Sequence, residues 1–334
     1  MENAPVWVLY DEKIGSTHQC LGLAQRLGVP FELKKVALKA PWSKRGPQFH
    51  PVDLKIIDPA ASDDLGGPLP KMIIASGSKL AAPALALKAA TGGEALAIQI
   101  HDPVAKRGQF DAIVVPNHDA RQHPKFIKIK AALTVTDDQR LDQGRSILAP
   151  ILSGLTGPHI GVMIGGPNRA FGFPDKDVSY LIAPLKQLLS QTSGSLLLCP
   201  SRRTPDGVLD ALQKAFAAEP RVWIWDRVSE NPYFGILAAC DRLLVTQDSV
   251  NMVTEAVCAG HPVTMLPLPR KGLYRLLRSK FDRFHDLMIA EGFARHWQGQ
   301  LESWQPPQLD DAGLVIEELK RRFDKRLSFL TESQ

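Results

Sequence analysis

The sequence predicts an α/β fold of two doubly wound units facing a cleft, each a parallel sheet covered by helices on both faces. Three observations predict it. The chain has 334 residues, which suits two domains of the usual size of roughly 150 residues. Short apolar runs rich in β-forming residues alternate with helical stretches along nearly all of it. The pattern changes at residues 134–153 and then begins again with a glycine-punctuated strand at 159–164.

Each unit has its own series of expected elements. In the first half we expect strands at 6–10, 31–37, 71–75, 95–100 and 111–115, and helices at 19–27 and 79–90. In the second half we expect strands at 159–164, 195–199, 221–225, 242–246 and 262–266, and helices at 206–217, 232–239 and 249–259. The boundary is therefore placed near residue 155, between an N-terminal unit of 1–155 and a C-terminal unit of 156–334.

A final amphipathic helix is expected to begin near Asp310, a suitable capping residue, and to run towards Phe329. Its packing residues are Leu314, Leu319, Phe323 and Leu327. The helix follows the second unit in the chain, but packing back on the first unit is an option. Two tandem sheets of this kind place the carboxyl ends of their strands around one cleft, where α/β sheets bind ligands. We therefore expect the ligand site between the units.

Composition excludes several classes of protein. Hydrophobic residues make up 44% and charged residues 22%, which are globular values rather than those of a disordered, collagen-like or coiled-coil chain. No apolar run or N-terminal leader suggests a membrane span or secretion, so we expect a cytoplasmic protein, at most peripheral at the inner face of a membrane. The four cysteines are widely spaced and are read as reduced core residues. A net charge of +5 suits phosphorylated small molecules or anionic surfaces, and no nucleic acid partner is expected.

The segment from 241 to 266 predicts a buried strand that ends in Thr-Gln-Asp-Ser and is followed at once by a helix. The free amides and dipole of a helix N-terminus favour an anion, and Ser249 and Asn251 could bond phosphate oxygens. Glu255 lies nearly two turns further on, where it could reach sugar or ribose hydroxyls. The competing interpretation makes Asp248 or Ser249 a simple N-cap and Glu255 a solvated residue. The donor-site candidates here are Thr246, Asp248, Ser249, Asn251 and Glu255.

Two further loops follow predicted strands. Gly165 and Gly166 could let the backbone approach a phosphate, with Asn168 as a polar partner, although the string is neither a P-loop nor a G-x-G-x-x-G fingerprint. The alternative is an ordinary turn. The second loop carries Ser201, Arg202 and Arg203, whose guanidinium groups suit a diphosphate. The alternative there is a solvated basic loop.

Histidines in the first half are the candidate catalytic bases. His18 lies near the start of a predicted helix, and the pair His118-Asp119 follows the strand at 111–115. An imidazole of near-neutral pKa is a natural base for a sugar hydroxyl, and both positions are also compatible with structural or solvated roles. No D-x-D cluster accompanies the phosphate candidates, so Arg202, Arg203 and the helix end are expected to supply the positive charge. We expect no metal ion and no cofactor.

A basic segment runs from Arg270 to Arg283. It holds six basic residues and one acidic residue, interleaved with apolar residues at helical spacing, namely Leu273, Leu276, Leu277, Phe281 and Phe284. Such a helix could hold an anionic donor or rest on an anionic membrane surface. The competing interpretation is a core-packing helix with a solvated basic face.

Several strings carry a family resemblance: VTQDSVNMVTEAVCAGHPV, IGGPN, SRRTP, NPYFGILAACD, VVPNHD, the opening VWVLYDEK and the later SKFDRFHDLMIAEGFA. Together they resemble the mitochondrial-fission family named for elongated mitochondria, whose bacterial members are regarded as glycosyltransferases. The helix with Glu255 and Gly260 is similar to the donor-binding helix of GT-B glycosyltransferases, such as the enzyme that makes lipid II. The resemblance implies two Rossmann-like domains, with a nucleotide sugar, taken to be a UDP-sugar, held mainly by the C-terminal one.

The resemblance also implies residue roles. It places Gly165, Gly166 and Asn168 near the diphosphate, Ser249 at the helix start and Glu255 on the ribose hydroxyls. The first loop departs from the glycine-rich pattern G-G-x-x-G-H and reads Asp-Glu-Lys-Ile-Gly-Ser-Thr-His.

Three functions remain open at this point. The first is a metal-independent glycosyltransferase that uses a nucleotide sugar and an unidentified acceptor. The second is a sugar-nucleotide epimerase on the same scaffold. The third is a non-catalytic adaptor in membrane fission or envelope organisation, because the plant members of the family are linked to recruiting a dynamin-like fission protein.

Overall fold

The computed structural model describes residues 4–11, 14–119, 121–134 and 138–330. Its contacts divide the chain into one unit of residues up to 135 together with those from 310 onwards, and a second unit of 136–309. In chain order the elements are β1 (Val6–Tyr10), α1 (Ile14–Arg26), β2 (Phe31–Lys35), β3 (Met72–Ser76), α2 (Ser78–Ala90), β4 (Leu96–Ile100), β5 (Ala112–Pro116), β6 (Phe126–Ile129), α3 (Asp138–Leu152), β7 (His159–Ile164), α4 (Ser179–Ser190), β8 (Ser195–Pro200), α5 (Asp206–Phe216), β9 (Val222–Ile224), α6 (Tyr233–Ala239), β10 (Arg242–Thr246), α7 (Val250–Cys258), β11 (Val263–Leu266), α8 (Lys280–Ala290), β12 (Ala294–His296) and α9 (Asp311–Phe323). Two parallel sheets with helices result, and the predicted α/β class is confirmed.

The sheet of the first unit has the strand order β2-β1-β3-β4-β5-β6, with parallel pairing throughout. Its two faces follow from the alternation of side chains along a strand. Val6 and Val8 of β1 join the core with Leu23 of α1, whereas Trp7 and Leu9 join the core under α2. The strand order changes direction between β1 and β3, so this unit has its topological switch point there.

The last helix, α9, belongs to the first unit. Val315 and Leu319 are fully buried in the same core as α1, and the buried Asp311 carboxylate accepts the amides of Lys130 and Ala131 at 3.0 and 2.7 Å. The predicted packing role of Leu314 is wrong, since its side chain is exposed. Asp310 caps the helix as expected, by accepting the amide of Gly313.

The sheet of the second unit has the order β12-β11-β10-β7-β8-β9, again parallel throughout. Helix α3 packs against α6 in this unit, and a Cβ added at Gly235 would lie only 2.3 Å from the Gly144 carbonyl oxygen. Because of this close approach, α3 belongs to the second unit, and the division between the units falls before α3. The sequence analysis placed the boundary near residue 155. Among the described residues, no helix has both the length and the apolarity to cross a membrane.

The predicted helix across Arg270 to Arg283 is wrong for most of its length. A short 3-10 turn covers Gly272–Arg275, and α8 begins only at Lys280. Ser279 and Asp282 form a reciprocal capping box, which starts the helix at that point. The apolar spacing is therefore used for core packing only from Phe281 onwards, and Phe284 is fully buried.

The ionisation of Asp282 makes the free energy of unfolding depend on pH. The hydrogen bonds from the Arg270 guanidinium, with further bonds from Ser279, hold the pKa of Asp282 well below its usual range, although partial burial acts in the opposite direction. A lowered folded-state pKa gives stability that is present above the unfolded value near 4 and is lost as pH falls through the folded value. We therefore expect the free energy of unfolding of wild type to fall relative to Asp282→Asn between about pH 5 and pH 2. Urea denaturation of both proteins checks this, and a constant difference across that range would contradict it.

Candidate functional site

Three predicted loops meet at one edge of the second sheet. Strands β10 and β8 flank β7, and the strand order changes direction between β7 and β10, so the crevice typical of α/β proteins lies at the carboxyl ends of these strands. The Arg203 guanidinium donates to the Asp248 carboxylate at 2.9 Å. The Thr204 hydroxyl donates to the Gly165 carbonyl at 2.6 Å. The loops after β7, β8 and β10 are therefore joined to one another.

Asp248 is the centre of this arrangement. Its side chain is fully buried and accepts from the Thr246 hydroxyl at 2.7 Å, the Gly166 amide at 3.0 Å and Arg203. Burial raises the pKa of Asp248, while the bonds from Thr246, Gly166 and Arg203 act to lower it. Both carboxylate oxygens accept bonds from within the protein. Asp248 and Thr246 consequently position the loops, and we call these contacts the Asp248 network.

The two glycines are required by this network. A Cβ added at Gly165 would lie 2.2 Å from both carboxylate oxygens of Asp248, and one at Gly166 would lie 2.2 Å from the Arg203 carbonyl oxygen. No side chain fits at either position without moving backbone or the buried carboxylate. The sequence interpretation attributed these glycines to phosphate approach, whereas the structure shows that neighbouring protein atoms already demand them.

Asn168 closes the loop after β7. Its side-chain oxygen accepts the amides of Ala170 and Phe171 at 2.7 and 2.9 Å, and its amide nitrogen donates to the Asp248 carbonyl at 2.9 Å. Asn168 therefore ties the loop after β7 to the loop after β10. Its role in the structure is to hold the site in shape.

Ser249 is the N-cap of α7, and its hydroxyl accepts the Met252 amide at 3.3 Å. Ser249 is therefore an N-cap in the structure, as the competing interpretation of the sequence expected. Helix α7 begins directly at the joined loops, so its positive dipole end lies at the carboxyl edge of the sheet. Asn251 is half-buried in the first turn, while Arg202 and Arg203 are exposed in the loop after β8 and Ser201 is half-buried there.

Glu255 has a partner that the sequence did not reveal. The Tyr233 hydroxyl, at the start of α6, donates a hydrogen bond to its carboxylate. Burial raises the pKa of Glu255, and the hydrogen bond from Tyr233 acts in the opposite direction. Glu255 is therefore a half-buried, oriented carboxylate, and the interpretation of a freely solvated helix residue is wrong. The string Asn-Pro-Tyr at 231–233 was the available signal, because it places a tyrosine on the first turn of a helix.

The candidate bases of the first unit follow strands that are not neighbours. His18 lies on α1, which follows β1, whereas His118 and Asp119 lie in a turn after β5 in which the Asp119 amide donates to the Pro116 carbonyl at 2.9 Å. Strands β3 and β4 lie between β1 and β5 in the sheet. The structure therefore places the two candidates at separate positions along the sheet.

Sequence reasoning missed His101, which directly follows β4. Its Nδ1 lies 3.3 Å from the Ser76 hydroxyl at the end of β3. His101 has a positive φ of 64°, and Val104 and Lys106 in the same loop have φ values of 67° and 61°. Left-handed backbone at residues other than glycine is uncommon and clusters at functional sites. The signal was a polar His-Asp-Pro string at the carboxyl end of a buried strand, the same signal that selected His118.

Asp102 stabilises that unusual loop. Its carboxylate accepts from Arg107 at 2.6 and 2.7 Å and from Arg121 at 2.7 Å. Burial acts to raise the pKa of Asp102, but these hydrogen bonds hold it well below its usual range. The backbone that follows His101 is consequently held by two ion pairs of Asp102.

A family profile described as Mitochondrial fission ELM1 matches residues 14–323. The chain belongs to this family. It is 25% identical over 283 residues to mitochondrial fission protein ELM1 of Arabidopsis thaliana, which covers 77% of this chain and 65% of the plant protein. It is 26% identical to uncharacterized protein RP120 of Rickettsia prowazekii (strain Madrid E), over 94% of this chain and 97% of that protein. The resemblance seen in the sequence is confirmed.

Solved structures show the fold. The UDP-GlcNAc 2-epimerase of Methanocaldococcus jannaschii has a TM-score of 0.57 at 8% identity, covering 95% of this chain and 99% of that one. The same enzyme in complex with UDP-GlcNAc and UDP has a TM-score of 0.51 at 9% identity, with the same coverage. The expected pair of Rossmann-like domains, the GT-B-like architecture, is confirmed.

Proposed function

We propose that this chain is a nucleotide-sugar-dependent glycosyltransferase whose second unit binds the donor. The observation that carries the proposal is the Asp248 network, which joins three loops at the switch point beside the N-terminus of α7. Parallel α/β sheets bind ligands at that position, and a helix N-terminus favours an anion. An epimerase of the same fold is described in complex with UDP-GlcNAc and UDP, which supports a UDP-sugar as the donor to test first.

The donor groups have distinct proposed partners. The diphosphate lies at the first turn of α7 and the loop of Gly166, with the exposed Arg202 and Arg203 supplying positive charge in place of a metal ion. Glu255, oriented by Tyr233, accepts hydrogen bonds from the ribose hydroxyls. Ser249 and Asn251 lie at the helix start beside the diphosphate.

The proposed reaction is transfer of the sugar to a hydroxyl. A base takes the proton of the acceptor hydroxyl, the acceptor oxygen bonds to the anomeric carbon, and the bond from that carbon to the diphosphate breaks. The electron pair leaves with the nucleoside diphosphate, whose charge the arginines and the end of α7 stabilise. His18, His101 and His118 with Asp119 are the candidate bases.

The test combines ligand binding with product analysis. Thermal unfolding is measured with uridine, guanosine, cytidine, adenosine and thymidine diphosphates and with their common sugar conjugates. A ligand at about 100 times its dissociation constant adds ~2.7 kcal/mol to the stability of the native state. We expect a shift with one nucleotide class. An absence of any shift would contradict the proposal and favour the adaptor.

The products separate the two enzymes. Transfer releases free nucleoside diphosphate and requires an acceptor, whereas epimerisation changes the sugar of the donor with no acceptor present. Incubation of the stabilising donor with and without cell-envelope extract, followed by chromatography, distinguishes them. Acceptor-dependent release of the diphosphate is the expected result, and conversion of the donor alone would replace the transferase by the epimerase.

A further inference from the structure

Three leucines project from the surface of the second unit between β11 and α8. Leu273, Leu276 and Leu277 are 72, 87 and 59% exposed. Scattered exposed leucines are ordinary, but three within five residues are a local concentration of exposed apolar side chains, which we call the apolar tip. We call residues 270–280 the leucine loop.

Basic side chains surround this tip. Lys271, Arg275, Arg278 and Lys280 are all exposed. The acidic partners lie on α8, outside the loop: Arg270 pairs with Asp282, and Arg278 pairs with Asp286 at the surface. The leucine loop therefore combines exposed apolar side chains with exposed side chains of predominantly positive charge.

The loop is held in this projecting form by the protein beneath it. Gly172 donates to the Pro269 carbonyl at 2.7 Å, and Lys271 donates its amide to the Ala170 carbonyl at 2.9 Å. The Arg275 Nε donates to the Arg270 carbonyl at 3.0 Å. At the other end the capping box of Ser279 fixes the start of α8. Hydrogen bonds at both ends thus keep the leucines outside the core.

Other side chains fill the hydrophobic core beneath the leucine loop. Phe171 is fully buried there, its ring centroid is 5.5 Å from that of Phe281, and the Arg270 guanidinium stacks on it at 5.4 Å. Phe284, also on α8, is fully buried. The apolar tip is consequently available for a partner outside this unit.

We propose that Leu273, Leu276 and Leu277 insert into the headgroup and acyl boundary of a bilayer that contains anionic phospholipid. An apolar tip with flanking Lys and Arg matches both contributions to interfacial binding, apolar burial and attraction to anionic lipid. Anionic headgroups supply the opposite charge for the exposed Lys271, Arg275 and Lys280, and the acyl boundary beneath them accepts the leucines. This inference is independent of the nucleotide site.

Co-sedimentation of the full chain with vesicles tests it, in the absence of nucleotide. We expect binding to phosphatidylcholine vesicles that contain phosphatidylglycerol, and weaker binding to phosphatidylcholine alone. Combined Leu273→Ser, Leu276→Ser and Leu277→Ser should lower the affinity at least about tenfold, since burial of even one leucine contributes that much. Arg275→Glu with Lys280→Glu should lower it by about fivefold or more per residue.

Matched controls are available on the same unit. Val228→Ser removes another highly exposed apolar side chain, and Lys186→Glu combined with Lys214→Glu reverses two exposed charges elsewhere, so both control variants should bind as wild type does. Because the leucines are exposed, the triple variant should retain the wild-type melting temperature.

Several results would overturn the proposal. These are no sedimentation of wild type with either vesicle, a triple leucine variant that binds like wild type, or binding that only the charge variants reduce, which indicates adsorption without insertion. A wild-type dimer that the leucine substitutions convert to a monomer would assign the loop to a contact between copies instead.

Discussion

Asp248→Ala is expected to lower the free energy of unfolding by about 4 kcal/mol. A buried donor that is left without an acceptor costs about 1 to 3 kcal/mol. Here the Gly166 amide and the Thr246 hydroxyl would lose an acceptor in a buried site. Arg203 is half-exposed and can turn to water, so it contributes least to the loss.

Thermal and urea denaturation measure this effect. For a unit of this size, 4 kcal/mol corresponds to a fall in melting temperature of about 10 °C. Asp248→Asn keeps the shape and one acceptor oxygen and should be intermediate. Asp210→Ala, an exposed carboxylate on α5, is the control and should melt as wild type does. An Asp248→Ala variant that matched Asp210→Ala would show that the network does not hold the loops.

Glu255→Gln is expected to weaken nucleotide binding by about 10- to 100-fold while leaving the fold intact. Hydrogen bonds to a charged group contribute about 1.5 to 3 kcal/mol, and a ribose presents two hydroxyls to a carboxylate. An amide offers only one acceptor oxygen. Tyr233→Phe should weaken binding less, about tenfold or below, since it removes the group that orients Glu255 and leaves the carboxylate in place.

Calorimetric titration of the stabilising nucleotide into both single variants and the double variant separates these roles. If Tyr233 acts by orienting Glu255, its removal should have little further effect once Glu255 is glutamine, so the two losses should not add. Glu317→Gln, an exposed glutamate of the first unit, is the control. Equal affinities for wild type and Glu255→Gln would contradict the proposed ribose contact.

The gathering of the three loops was predictable from sequence because each directly follows a parallel strand. Gly165, Arg203 and Asp248 stand at the carboxyl ends of β7, β8 and β10, and parallel neighbours bring such ends together. The specific partners were not predictable. Tyr233 reaches Glu255 from a different helix, and the requirement for glycine at 165 comes from the carboxylate of a residue 83 positions later.

Predictions from local sequence patterns failed where tertiary contacts determine the structure. The spacing of the apolar residues between 273 and 284 indicates one helix, but the capping box at Ser279 starts the helix later, and the three leucines before it are exposed. Helix α3 joins the second unit because Gly144 and Gly235 allow it to pack on α6, a contact that no local pattern reveals. For His101 the sequence offers only the His-Asp-Pro string after β4, and its left-handed backbone is visible only in three dimensions.

Hydrogen–deuterium exchange of the wild-type protein, with and without a saturating UDP-sugar or the nucleotide that stabilises it best, tests the assignment of the donor site most directly. If the loops joined by Asp248 bind the nucleotide, peptides covering 165–171, 201–204 and 247–255 should become more protected by about tenfold or more in exchange rate, because a bound ligand opposes local opening of these loops and of the first turn of α7. Protection confined to the first unit, or no protection in these three segments, would contradict it.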